Sequence, residues 1–163
     1  MRRLAGFARG AAGRPALLLC ALLLAPPATA AELTARLLPG GEVIARLPMP
    51  EGAGWCVAWR HSVRGFEVRD CYENRDGRMV LVRSRQPDFA AGLGHLPGRG
   101  VQLSDGAGGY LIEGIDEPVP GDAYVLRPGS MAVDHRIEAS GRSVSLSALA
   151  SRARVRVALE DAR

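Results

Sequence analysis

The sequence of 163 residues predicts an all-β protein: a single antiparallel β-sandwich or barrel-like domain behind a cleaved N-terminal signal peptide. Three observations carry this. Beyond residue 30 no helical periodicity of useful length occurs. Apolar and polar residues alternate there in short runs instead. Turn residues separate the runs at intervals of roughly 8–12 residues, the spacing of a sandwich or barrel.

The first thirty residues differ from the rest. Arg2, Arg3, Arg9 and Arg14 precede an apolar stretch from Ala16 to Ala25, and Ala28-Thr29-Ala30 follows. A basic start, a short apolar centre and an A-x-A site describe a secretory signal. A membrane-spanning helix needs about 20 apolar residues, and Pro26-Pro27 intervenes too early. Cys20 follows Leu19 rather than a small residue, which argues against a lipoprotein signal. Cleavage after Ala30 would leave one domain over 31–163, periplasmic or secreted, with no stable membrane anchor.

Charge follows the same division. Four of the 21 basic residues precede residue 31 and none of the 17 acidic residues does, so the domain is charge-balanced. Nucleic-acid binding, which wants a basic stripe on the folded domain, is not expected. All the basic residues are arginine.

Along the chain, LTARLL (33–38) runs into Pro39-Gly40-Gly41, and EVIARLPM (42–49) into Pro50-Glu51-Gly52. GWCVAWRHSV and FEVRDCYE flank Arg64-Gly65, and Asn74-Arg75-Asp76-Gly77 turns the chain into RMVLVRSR (78–85). A Gly-rich piece, FAAGLGHLPGRG (89–100), leads to VQLSD and YLIEGIDEPV. AYVLRP, DHRIEAS, GRSVSLS and RARVRVAL complete the strands, with LSALAS (146–151) as one short helical turn. Short turns between successive strands favour antiparallel neighbours. In the last run Arg152, Arg154 and Arg156 share one face, which reads as the charged outer face of an edge strand.

The hairpin at 54–73 carries the chemistry. A two-residue turn at Arg64-Gly65 puts glycine where positive φ is needed, pairing Val63 with Phe66 and His61 with Val68. One face then carries Trp55, Val57, Trp59, His61 and Val63 with Phe66, Val68, Asp70 and Tyr72. His61 lies diagonal to Asp70, about 7–8 Å away between backbones, and a hydrogen bond between them would lessen the cost of burying both. Such a pair is a structural polar element or the floor of a binding site. Ser62 points to the opposite face from His61, so a Ser–His pair, which must close to about 3 Å, would need His95 or His135.

Cys56 and Cys71 are the cysteines left after cleavage, and an oxidising compartment favours bridging them. The register above displaces them by two residues. A turn at Val63-Arg64 sets them opposite one another but gives up the glycine turn, and a bulge would reconcile the two. Two cysteines without a second ligand pair fall short of a zinc site, and the histidines show no metal-ligand spacing. No metal and no cofactor is expected.

These residues resemble a bacterial family of small exported proteins catalogued as domain of unknown function 1850. The resemblance rests on His61-Ser62-Val63, on Asp70 and Tyr72 on the next strand, and on Phe89 leading to Gly92-Leu93 and Pro97. It continues with Asp134-His135-Arg136 and the Leu146-Ser147 element, covering roughly 36–158. The Gly-Leu loop departs from the family pattern, and the two cysteines are not family marks. The family has no assigned activity. The resemblance implies a gene context beside TRAP-type uptake transporters of the TAXI class. Adding the motifs together makes a candidate binding site of His61, Ser62, Asp70, Tyr72, Gly92, Leu93 and His135. Three functions remain open: a periplasmic accessory module binding a TRAP transporter component or a small solute, a structural envelope module, or a small hydrolase using Ser62 with a histidine.

Overall fold

In the computed structural model, residues 31–86, 98–106 and 108–162 are described. The signal segment therefore lies outside the described residues, as do Gly92 and Leu93. The strands are β1 (Ala31–Leu38), β2 (Val43–Pro48), β3 (Gly54–Arg60), β4 (Glu67–Arg75), β5 (Arg78–Gln86) and β6 (Val101–Ser104). They continue with β7 (Tyr110–Pro118), β8 (Ala123–Leu126), β9 (Arg136–Ala139), β10 (Arg142–Ser145) and β11 (Arg154–Asp161), and helix α1 (Leu146–Ala150) precedes the last. Two antiparallel sheets pack as a sandwich, one of four strands in the order β2-β1-β11-β8, the other of seven in the order β10-β9-β3-β4-β5-β7-β6.

Turn chemistry explains the hairpins. Asp76 and Gly77 join β4 to β5 with φ of 52° and 75°, the left-handed pair that a two-residue type I′ turn requires and that Asp-Gly supplies. The single helical turn starts at Ser145, whose hydroxyl accepts from the Ala148 N–H at 3.2 Å, an N-cap.

Alternation along the strands builds the core. Leu33 and Ala35 of β1, Trp55 and Val57 of β3, Ile137 of β9, and Val155 and Val157 of β11 meet between the sheets with Met49, Met79 and Leu146. Leu81, Tyr110, Ile112 and Ile115 form a second cluster on β5 and β7, and Tyr72 packs against both. Asn74 is buried, donating to the Met49 carbonyl at 2.7 Å and accepting from the Gly77 N–H at 3.0 Å. It ties the β4–β5 turn to the chain entering β3.

One expectation needs correction here. β11 is not an edge strand but lies between β1 and β8. Arg152 falls in the preceding turn at φ 64°, and Arg156 pairs with Glu160 at 3.0 Å. Alternation identifies a strand's wet face, yet it carries no information on whether both edges are hydrogen-bonded.

Cys56 and Cys71 stand directly opposite and form a disulfide, with Cα atoms 4.0 Å apart. Closing a loop of this length, a separation of 15 residues, stabilises a fold by about 3 kcal/mol. Replacing both cysteines with alanine should lower the unfolding free energy by about that much, seen as a lower urea midpoint with a somewhat steeper slope, because the unbridged unfolded chain exposes more surface. Equal midpoints would show that the strand ladder holds without the bond.

Candidate functional site

The β3–β4 connection is longer than a two-residue turn. The His61 N–H donates to the Phe66 carbonyl at 2.7 Å and the Gly65 N–H to the His61 carbonyl at 2.9 Å, leaving residues 62–65 as the loop. Arg60 therefore pairs with Glu67, Trp59 with Val68, and Val57 with Asp70. This corrects the predicted pairing of His61 with Val68 by two residues. Gly65 keeps its left-handed role at φ 72° as the last loop residue, so the glycine and the opposed cysteines are satisfied together.

His61 consequently does not meet Asp70. Its Nδ1 accepts from the backbone N–H groups of Val63 at 3.4 Å and Arg64 at 3.3 Å. The ring thus ties down the loop that follows it. Val63 and Phe66, expected on the core face, are 84% and 43% exposed. Ser62 is exposed as well. Among the described residues no histidine nitrogen stands at its hydroxyl, which a nucleophile of this type requires.

His135 comes to the same end of the sheet. It stacks on Trp59 with ring centroids 5.5 Å apart and planes 2° from parallel. Its Nδ1 accepts from the Gly129 N–H at 3.1 Å, and its own N–H donates to Ser147 Oγ at 2.9 Å. Burial lowers the His135 pKa, against a smaller opposing pull from Asp134. Burial thus favours the neutral imidazole, and the Gly129 contact places its proton on Nε2. The Arg60 N–H donates to the Val133 carbonyl at 2.7 Å, binding this loop to the end of β3. The hairpin tip and the Trp59–His135 stack thus belong to one end of the large sheet.

Asp70 and Tyr72 face the interior instead. Ser84, opposite Asp70 on β5, donates its hydroxyl to Asp70 Oδ1 at 2.6 Å, and Gln86 Nε2 donates to Ser84 Oγ at 2.7 Å. Burial raises the Asp70 pKa, while the Ser84 hydrogen bond and the nearby Arg99 charge oppose it. Tyr72 is stacked between Trp55 and Tyr124, at 5.5 and 5.3 Å. Its phenol is pushed far above its ordinary pKa, first by burial and then by the charges of Asp70 and Glu117. Tyr72 is a core aromatic.

The structure therefore divides the predicted set. His61, Ser62 and His135 gather at the hairpin end, Asp70 and Tyr72 lie inside, and Gly92 and Leu93 fall outside the described residues. Sequence reasoning missed Ser84, Gln86 and Arg99 around Asp70, and the partnership of Trp59 with His135. Among the described residues no group of three His, Cys, Asp or Glu side chains could hold a metal ion. No helix among them is long and apolar enough to cross a membrane.

A family model described as Domain of unknown function (DUF1850) matches residues 56–146. No curated protein and no solved structure matches the chain.

The raised Asp70 pKa has a definite sign in stability. Above its unfolded value of 3.8 the unfolded chain releases this proton while the folded chain still holds it. Asp70 therefore contributes a loss of stability as pH rises from 3.8 to its higher folded pKa. Asp70→Asn should remove that loss. The melting temperature of the variant should gain on the wild type as pH climbs through this window, and a difference independent of pH would refute the burial argument.

Proposed function

The chain belongs to the DUF1850 family, a domain of unknown function, and from that premise we propose that it is a non-enzymatic accessory module of the periplasm. In this reading it docks a component of a TRAP-type solute uptake system through the hairpin end of its large sheet. The observation that carries the reading is the pair of exposed apolar side chains, Val63 and Phe66, held on a loop braced by the His61 imidazole. Apolar side chains on an ordered loop beside a flat aromatic stack gain by being covered, and loops on a rigid scaffold are where recognition concentrates. The matched segment includes this hairpin, the Trp59–His135 stack and the start of α1. Export is supported by the basic and apolar start of the chain and by the disulfide, a bond of oxidising compartments.

The hydrolase reading gains nothing from the position of Ser62. The structural reading draws on the buried Asp70–Ser84–Gln86 chain, but that chain leaves the exposed hairpin tip unexplained.

Val63→Asp is the discriminating change. At an exposed loop site it should alter stability by less than about 0.5 kcal/mol while abolishing recovery of a transporter component with the tagged protein from an envelope fraction. Recovery of the same component by wild type and variant would refute the docking surface. Failure of the wild type to enrich any transporter component would refute the function.

A further inference from the structure

The seven-stranded sheet turns its other face away from the main core. Across β10, β9, β3, β4 and β5 that face holds an open groove of about 650 Å³. Cys56 and Cys71 of the disulfide lie along it with Val82, giving an apolar strip on its floor. Strands β3 and β4 are hydrogen-bonded on both sides, so their backbone N–H groups are committed to the ladders. Polar recognition in this groove must come from side chains.

The charges in the groove are unevenly paired. Arg69 bonds Glu138 at 2.9 Å, and Glu73 bonds Arg75 at 2.6 Å. Among the described residues Arg83 makes only a long side-chain contact, Nη2 to Cys71 Sγ at 3.7 Å. Arg142 lines the opposite rim, at the β9–β10 turn. Neither Arg83 nor Arg142 has a carboxylate partner among the described residues. Arg83, on β5 beside the disulfide, is thus a guanidinium of this apolar-floored depression without an ion pair among the described residues.

We infer that this groove binds a small organic monocarboxylate, its head on the Arg83 guanidinium and its apolar body along the disulfide and Val82. The guanidinium fork matches a carboxylate bidentately, and the apolar floor rewards a hydrocarbon tail. Inorganic phosphate fits worse. It is held best by clustered backbone N–H groups, which this floor does not offer, and Glu73 and Glu138 on the walls repel a multiply charged anion. The site lies on the sheet face opposite to the one bearing the Trp59–His135 stack and is independent of the proposed docking function.

Titration of the ¹⁵N-labelled full chain with hexanoate tests this. Saturable shifts are expected at the amides of Cys56, Cys71 and Val82, with acetate and inorganic phosphate at least tenfold weaker. Arg83→Gln, an exposed change that should preserve the amide dispersion, is expected to weaken hexanoate at least tenfold. Val63→Asp should bind hexanoate as the wild type does, which separates this site from the hairpin surface. Absence of saturable shifts, equal hexanoate affinity in Arg83→Gln, or phosphate binding as tight as hexanoate would overturn the proposal.

Discussion

The pairing of Cys56 with Cys71 is the constraint on which the rest of the large sheet depends. Once these two residues stand opposite, Val57 faces Asp70 and Trp59 faces Val68. Asp70 in turn faces Ser84. A slip of one residue would turn every side chain to the wrong face. A slip of two would keep the faces and break the bridge. The shorter loop that such a slip permits saves little, since doubling a loop costs only about 0.6 kcal/mol in closure entropy. The bridge is worth about 3 kcal/mol. The disulfide wins, and the imidazole of His61 recovers part of the loop cost by accepting two N–H groups.

That register puts a carboxylate under cover. Asp70 receives a hydrogen bond from Ser84, which receives one from Gln86, yet its pKa is still raised because burial outweighs the hydrogen bond and the Arg99 charge. The outer face of the same strands resolves charge differently. Glu67, Arg69, Glu138 and Arg136 close an alternating ring of ion pairs. Burial raises the Glu67 pKa, but the hydrogen bonds and charges of Arg136 and Arg69 together outweigh it and leave the value lowered. Partly exposed pairs of this kind add little stability individually. Their effect here is to occupy Arg69, so the charge left over on this face belongs to Arg83.

Much of the fold was legible because it rests on local rules. The strands, the Asp76-Gly77 turn and the single helical turn all follow from alternation and turn chemistry. What could not be read was long-range. The bulge between Leu81 and Arg83 hides in Met79-Val80-Leu81-Val82, a run apolar at both parities, so alternation could not show that Ser84 and Gln86 face inward with Asp70. The position of β11 inside its sheet depends on β1 and β8, which are far away in sequence. Only part of the candidate site was legible. The hairpin residues were found, and Asp70 and Tyr72 do face inward, but His61 and Val63 were read as inward and sit at the loop, because the glycine preference at Arg64-Gly65 is satisfied equally well by a four-residue loop.

One pair of strands therefore serves three environments. Side chains of β3 and β4 that point inward meet the core and the Asp70 chain, those that point outward floor the groove, and the connecting loop leaves the sheet altogether. Period-two alternation keeps these separate in sequence: Val57, Cys56 and Val63 belong to different surfaces although they lie within eight residues of one another. Changing an outward residue leaves the inward row intact, because the ladder between them is held by backbone hydrogen bonds and by the bridge. A hairpin locked in this way can present a rigid tip at one end and a shaped floor along its length, and neither use requires the other.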